Sequence, residues 1–172
     1  MKTYVLTLSQ VFPATHPRKG ENTMFLEKFF NGLGKPIQEP YYDPETLCNP
    51  QKLHTIRANY PLWQKRFEQI ERGEACLSIR QWSGKPYHSP QREIARLTKE
   101  DGIGLQKLVF DPDSKSDKLY NPLIFSKGLF RSVSWSLLAN NDGLRLKDWS
   151  DWFKGYDISK PLAIIHFTKF RY

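Results

Sequence analysis

Apolar and polar positions alternate along several short segments of the chain, which is typical of strands. The first such segment covers residues 3–12 and stops at Pro13. Segments of similar character predict further strands at residues 53–58, 75–82, 91–98, 103–110 and 161–172. The segments 75–82 and 91–98 are joined by a turn with Ser83-Gly84 and Pro86, so we expect a hairpin there.

Apolar residues at helical spacing predict four helices between these strands. Residues 21–33 carry Met24, Phe25, Phe29 and Phe30 on one side before two glycines. A second helix begins at Pro61 and ends before Gly73, with Leu62, Trp63, Phe67 and Ile70 on one face. Two short helices meet around residues 140–143, and the later one has a core-like face formed by Trp149, Trp152 and Phe153.

Two segments lack any regular pattern. Residues 35–51 contain four prolines and are interpreted as an insertion loop. Residues 111–122 form a polar loop, and residues 123–131 favour neither strand nor helix. Because short strands and helices do not alternate regularly, an α+β fold with a small mixed β-barrel and peripheral short helices fits better than a doubly wound sheet. With 172 residues, we expect one domain over positions 1–172.

The net charge of +8 is spread along the whole chain. A positive field of this kind suits an anionic partner, most commonly phosphates, although a well-solvated basic surface has the same charge. No apolar run approaches the roughly 20 residues of a membrane span. The N-terminus does not have the pattern of a signal peptide, so a cytoplasmic protein without membrane contact is predicted.

The cysteines and histidines do not have metal-site spacing. Cys48 and Cys76 lack a CxxC pattern or a nearby histidine, so both are expected to be free thiols. The four histidines are also spread out, and His54 and His166 are expected to pack within strands. We therefore predict no metal and no cofactor.

Lys52, Thr55 and Arg57 are polar residues in an otherwise core-like segment. In a strand Thr55 and Arg57 share a face, and Lys52 joins them only from the turn after Asn49-Pro50. A lysine of lowered pKa would then take the threonine proton, with Arg57 holding an anion. The plain alternative is a β-branched strand residue beside a solvated lysine.

The stretch 80–96 combines several cations with a single acid, Glu93, and with aromatic residues. The cations are Arg80, Lys85, Arg92 and Arg96, and the aromatic residues include Trp82 and Tyr87. Cations that follow phosphates, beside rings that stack on bases, are how single-stranded nucleic acid is held. The alternative is a core tryptophan surrounded by a solvated rim.

Asn141 and Asp142 precede Gly143 between the two short helices. Such residues suit a helix end and the next helix cap. They equally suit contact with a base or a catalytic role, and both interpretations stay open.

The pattern Lys52-x-x-Thr55-Ile56-Arg57, followed by GEACLSIR at 73–80 and by the strand at 162–170, resembles the ASCH family of the PUA-like superfamily. The resemblance implies a small β-barrel associated with RNA binding. It is closest to bacterial N4-acetylcytidine amidohydrolases, in which a lysine, a threonine of the same strand and a distant glutamate are catalytic. By position these correspond to Lys52, Thr55 and Asp142, an aspartate standing where the family has glutamate.

Three functions are therefore considered. The first is a domain that binds RNA or a modified nucleobase or nucleoside in a basic cleft, through residues Arg57, Arg80, Trp82, Lys85, Tyr87 and Asn141. The second is an amidohydrolase that removes an N-acyl group from a modified nucleoside, with Lys52, Thr55 and Asp142 as catalytic residues. The third is a protein-interaction domain that uses the loop 35–51 and no nucleic acid.

Overall fold

The structure is a computed structural model that describes residues 1–35, 37, 50–111 and 121–172. Most of the predicted insertion 35–51, including Cys48, lies outside the described residues, as does most of the polar loop 111–122. The helices and strands follow in the order β1 (Lys2–Thr7), α1 (Phe25–Gly32), β2 (His54–Arg57), α2 (Tyr60–Glu71), β3 (Ala75–Trp82), β4 (Gln91–Leu97), β5 (Gly104–Phe110), β6 (Pro122–Ser126), β7 (Leu129–Ser132), α3 (Trp135–Asn141), α4 (Leu146–Phe153) and β8 (Leu162–His166).

The described strands form two sheets. The smaller sheet has the order β1-β3-β4, with β1 parallel and β4 antiparallel to β3. The larger sheet has the order β2-β8-β5-β6-β7, and all of its pairings are antiparallel. The α+β class is confirmed. The closed barrel expected from the sequence is not formed, because among the described residues no ladder of backbone hydrogen bonds joins the two sheets.

Helix α2 shows how local sequence fixes an element. Asn59 adopts a left-handed conformation and its side chain accepts a hydrogen bond from the Leu62 amide at 3.3 Å. Proline follows within the first helical turn, where it costs no backbone hydrogen bond. Trp63, Phe67 and Ile70 are buried against the sheets, as the apolar spacing predicted, whereas Leu62, expected on the same face, is exposed.

The first strand is shorter than predicted. It ends at Thr7, the last residue of β1 in register with β3, and beyond it Val11 makes only an isolated bridge with Asn22. In contrast, the undecided segment 123–131 is part of a hairpin between β6 and β7. Its turn, Lys127-Gly128, has two positive φ angles of 50° and 80°, which match the twist of paired strands. Sequence periodicity alone missed this turn because lysine rarely adopts such angles.

The hydrophobic core lies where both sheets meet helices α1, α2 and α4. The side chains at its centre are fully buried and include Phe29, Ile56, Leu77, Leu108, Trp149 and Ile164. In the part of the chain that is described, no helix combines the length and the apolar character that crossing a membrane requires.

Candidate functional site

A cavity of about 140 Å³ brings together the three residues predicted to be catalytic and Arg57. Its polar lining consists of Thr7, Ser9, Lys52, Thr55, Arg57 and Asp142. Its apolar walls are Phe25, Leu144, Trp152, Phe153 and Tyr156. Lys52, Thr55 and Asp142 are buried, whereas the lining residues on the side that opens to solvent are half-buried: Thr7, Ser9, Arg57, Trp152 and Tyr156. We call it the Lys52 pocket.

The end of helix α3 positions one side of this pocket. Three consecutive carbonyl groups there receive hydrogen bonds from outside the helix. The Asn141 carbonyl accepts from the Leu53 amide at 2.8 Å, and the Asp142 carbonyl accepts from the Lys52 ammonium at 2.6 Å. The Gly143 carbonyl accepts from the Lys28 ammonium at 2.9 Å. Cations at a helix C-terminus are favourable because the helix dipole is negative there.

Lys52 and Asp142 also form a buried ion pair through their side chains. Strand β2 begins at His54, so Lys52 precedes the strand, and its side chain lines the same pocket as Thr55. The ammonium nitrogen also lies 4.0 Å from the centroid of the Phe25 ring. Lys52 is 1% exposed and Asp142 is 3% exposed, so bulk water solvates neither charge.

Burial shifts both members of this pair toward their neutral forms. Desolvation lowers the pKa of Lys52 against the opposing attraction of Asp142. Desolvation likewise raises the pKa of Asp142 against the attraction of Lys52. Transfer of a proton from the ammonium to the carboxylate therefore requires less free energy than it would for the same pair in water.

Thr55 and Arg57 lie on one face of β2, as predicted, and their side chains are hydrogen bonded. One terminal nitrogen of Arg57 donates to the Thr55 hydroxyl oxygen at 2.6 Å and to the Ile56 carbonyl at 2.9 Å. The other donates to the Thr7 carbonyl at 2.8 Å. The guanidinium thus holds strand β2 against the end of β1 and polarises the threonine hydroxyl.

The pocket has an excess of positive charge. Among the described residues, no carboxylate forms a salt bridge with Arg57, while Asp142 is already paired with Lys52. Burial lowers the pKa of Arg57 and raises the pKa of Tyr156, which faces both Arg57 and Asp142. With two cations and one anion, the site favours a ligand that presents carbonyl oxygens or a negative charge.

The Lys52 ammonium and the Thr55 hydroxyl share the pocket without a direct hydrogen bond. The hydroxyl accepts from Arg57, and the ammonium donates to Asp142. The hydroxyl proton is therefore available to an acceptor inside the pocket. The simplest structural role for the ion pair is to fasten the chain before β2 to the end of α3.

The remaining predicted binding residues lie outside the lining of this pocket. Arg80 is on the outward face of the smaller sheet, where its Nε donates to the Ser78 hydroxyl at 2.9 Å. Trp82 and Tyr87 are in ring contact at 5.3 Å, and Lys85 is exposed in the turn between β3 and β4. The sequence predicted one cleft with Arg80 at its rim. In the structure these residues form two separate regions, the Lys52 pocket and the β3–β4 hairpin.

Asn141 is not part of the pocket lining and belongs to a part-buried cluster with His54 and Tyr172. Its side-chain amide donates to the Tyr172 hydroxyl at 2.9 Å, and that oxygen lies 2.7 Å from Nε2 of His54. His166 contacts the same tyrosine ring at 5.9 Å. The packed state expected for His54 and His166 is confirmed, whereas Asn141 has a structural position.

Several pocket residues had no signal in the sequence. Thr7 ends β1 and Ser9 lies just beyond it, and no pattern placed either at a site. Phe25, Trp152 and Phe153 were expected only to pack in the core. Helical spacing identifies an apolar face, but it does not show which part of that face borders a cavity. Tyr156 follows α4 in a turn, so no periodic pattern includes it.

Neither metal-binding groups nor known relatives assign a function to this pocket. Within the described ranges, no group of three or more His, Cys, Asp or Glu side chains is arranged to hold a metal ion. Comparisons with protein-family models, with curated proteins and with solved structures give no match. The geometry and chemistry of the pocket are therefore the basis for assigning a function.

Proposed function

We propose that this protein binds RNA or a modified nucleobase or nucleoside, with one base in the Lys52 pocket. The observation that carries the proposal is the convergence of Lys52, Thr55, Arg57 and Asp142 on one cavity with aromatic walls. A nucleobase is planar and has a polar edge, so it matches stacking walls beside hydrogen-bonding groups. The sequence resemblance to the ASCH family, which is associated with RNA binding, points in the same direction.

The size of the cavity limits what it accepts. Its volume of about 140 Å³ is below the roughly 300–1,000 Å³ of pockets for drug-sized ligands. A single base fits this space better than a whole nucleotide, so a sugar and phosphate would remain at the mouth. The half-buried Arg57 lies on that open side, where its uncompensated charge would favour a carbonyl or a phosphate.

Titration with cytidine and N4-acetylcytidine tests this proposal, because Trp152 in the wall gives a fluorescence signal. We expect saturable quenching for the wild-type protein. Arg57→Lys should weaken binding by about tenfold, since lysine loses the fork of donors that Arg57 offers. Exchange of the exposed Arg72 for lysine is the matched control and should leave binding unchanged. Absence of saturable binding to any base or nucleoside would contradict the proposal.

An amidohydrolase is the second candidate, favoured by the paired Lys52 and Asp142 beside a polarised hydroxyl. In this reaction Lys52 first passes a proton to Asp142. The Thr55 oxygen then attacks the acyl carbon, its proton moves to the Lys52 amine, and the C–N bond breaks as Lys52 protonates the leaving amine. Water cleaves the resulting threonine ester, which releases the carboxylic acid and restores the hydroxyl.

Release of cytidine from N4-acetylcytidine distinguishes the enzyme from the binding protein. Thr55→Val keeps the side-chain shape but removes the nucleophile, so it should abolish turnover while nucleoside binding persists. Thr55→Ser retains a hydroxyl and should keep measurable activity. If the wild-type protein binds the nucleoside without turnover, the enzyme reaction is excluded and the binding function remains. The third alternative, a protein-interaction loop at 35–51, depends on residues outside those described.

A further inference from the structure

We infer that the hairpin of β3 and β4 is a docking site for a single-stranded polynucleotide, which delivers one of its bases to the Lys52 pocket. This inference builds on the proposed function and narrows it from a free nucleoside to a base within a strand. It uses five hairpin residues: Arg80, Trp82, Lys85, Tyr87 and Arg92.

An aromatic pair with Tyr87 exposed and Trp82 half-buried lies at the tip of this hairpin. The rings of Trp82 and Tyr87 are 5.3 Å apart at an angle of 53°. Tyr87 is 87% exposed, far more than its hydrophobic ring would favour in a purely structural role. The exposed Tyr87 ring beside the half-buried Trp82 ring is a stacking platform that accepts any base.

The backbone holds Tyr87 in an unfavourable conformation. Its φ angle is 64°, in the left-handed region that costs a residue with a side chain roughly 1–2 kcal/mol. Hydrogen bonds within the turn maintain this geometry: the Ser89 hydroxyl accepts from the Gly84 amide at 3.0 Å and donates to the Lys85 carbonyl at 2.9 Å. A strained residue that places an aromatic ring in solvent indicates a binding role, because folding gains little from it.

The charges of the hairpin leave two cations without a carboxylate partner. Glu93, the single acid of 80–96, accepts from the Ser78 hydroxyl and forms a two-point ion pair with Arg96 at 3.0 and 3.2 Å. Arg80 lies opposite Glu93 in the register and interacts with its charge, whereas within the described chain neither Lys85 nor Arg92 forms a salt bridge. This excess of positive charge beside an aromatic platform is complementary to phosphates and bases together.

Thr7 connects the hairpin with the pocket. It lines the pocket, and its carbonyl accepts the hydrogen bond from Arg57. Its hydroxyl accepts from the side-chain amide of Gln91 at 3.1 Å, and Gln91 is the direct partner of Trp82 in the β3–β4 register. The pocket lining at Thr7 therefore adjoins the turn end of the hairpin, where Trp82 pairs with Gln91, so a strand bound beside Trp82 lies next to the pocket.

Anisotropy measurements with labelled oligonucleotides of about eight nucleotides, within the usual site size, test the inference. Ribose and deoxyribose versions of one sequence are titrated beside the free nucleoside. We expect the wild-type protein to bind at least one oligonucleotide about tenfold more tightly than the nucleoside. Tyr87→Leu should lower the oligonucleotide affinity about tenfold, since one stacked base is lost, and should leave nucleoside binding unchanged. Tyr87→Phe keeps the ring and should keep the affinity.

The salt dependence gives a second readout. Replacing both Lys85 and Arg92 by glutamine should make the negative slope of log affinity against log salt shallower by about 1.4. Each lost phosphate contact accounts for about 0.7 of that slope on a single strand. Lys65→Gln, at an exposed position of α2, is the matched control and should not change the slope. Binding of deoxyribose strands as well as ribose strands supports the inference and shows that the 2′-hydroxyl is not read.

Two outcomes overturn the inference, and they are separable from failure of the proposed function. If the nucleoside binds but neither oligonucleotide binds more tightly, the hairpin is not a docking site while the pocket remains. The same conclusion follows if oligonucleotides bind but Tyr87→Leu and the double variant leave affinity and salt slope unchanged. If neither the nucleoside nor the oligonucleotides bind, the proposed function itself fails.

Discussion

The ammonium of Lys52 is hydrogen bonded to both the side chain and the carbonyl of Asp142, which lies 90 residues further along the chain. The contact fastens the segment before β2 to the end of α3 and forms the floor of the pocket. Because the pair is buried, its two members are interdependent. Removal of either one leaves a charge without a partner inside the protein.

Replacement of Lys52 by methionine should therefore lower the free energy of unfolding by about 3–5 kcal/mol, measured by urea denaturation at neutral pH. The double variant Lys52→Met/Asp142→Leu should lose much less than the sum of the two single variants, since no buried charge remains. Lys160→Met is the control, because its ion pair with Asp157 is exposed to solvent and should contribute little to stability. Additive effects at Lys52 and Asp142 would contradict an energetic coupling between them.

Trp152 is half-buried and forms one wall of the pocket beside Phe25, whose ring centroid is 5.7 Å away. Trp152→Leu should weaken nucleoside binding about tenfold, because a stacked base gains roughly 1–3 kcal/mol from an aromatic partner. Trp152→Phe retains a ring and should lose less. Calorimetric titration measures both variants independently of the tryptophan signal. Equal affinities for the leucine and phenylalanine variants would show that the ring does not contact the ligand.

His54 and His166 are paired across β2 and β8 with ring centroids 5.6 Å apart. Burial lowers the pKa of His166 to about 3 and the pKa of His54 well below its usual value. The unfolded chain binds protons at these residues below about pH 6.5, whereas the folded protein does not. Stability should therefore fall as the pH decreases from about 6.5 toward 3, by about 2 kcal/mol for His166 at pH 5.

Urea denaturation at pH 7 and at pH 5 measures this loss. His166→Leu should reduce the difference in unfolding free energy between the two conditions by about 2 kcal/mol, whatever its effect on packing. His88→Gln, at an exposed histidine of the hairpin, should retain the full difference. A pH dependence that is the same in His166→Leu and in the wild-type protein would show that His166 is protonated in the folded state.

The turn between β6 and β7 offers a test of backbone strain without steric conflict. A Cβ atom at Gly128 would meet no atom within 4 Å, but its φ angle is 80°. Gly128→Ala should therefore destabilise the protein by about 1–2 kcal/mol through the left-handed backbone alone. A Cβ at Gly155 also meets no atom within 4 Å, and the φ angle there is not left-handed, so Gly155→Ala should be neutral or slightly stabilising. Thermal denaturation compares the two variants, and similar melting temperatures would contradict this explanation.

Sequence periodicity predicted α2 and the β3–β4 hairpin closely, because their apolar spacing, proline and turn residues act over a few positions. The first strand was predicted too long, since alternation continues beyond Thr7 whereas the pairing of β1 with β3 ends there. The turn at Lys127-Gly128 was missed because its conformation is imposed by the pairing of β6 with β7. The closed barrel was also wrong, because the pattern within each strand does not specify which sheet it joins.

The candidate site shows the same contrast between local features, which the sequence predicts, and long-range contacts, which it does not. The position of Lys52 before the strand and the shared face of Thr55 and Arg57 follow from local geometry. The approach of Asp142, the aromatic walls and the separation of Arg80 from the pocket do not, since each depends on elements far apart in the chain.

By itself the sequence determined the residue types available for binding, the basic charge and most of the local elements. Only the tertiary structure decided which of these residues meet. The ion pair of Lys52 with Asp142, and the position of Thr7 between pocket and hairpin, arise from packing two sheets against the end of α3. Side-chain periodicity describes one element at a time, whereas a site is formed by the spaces between several elements.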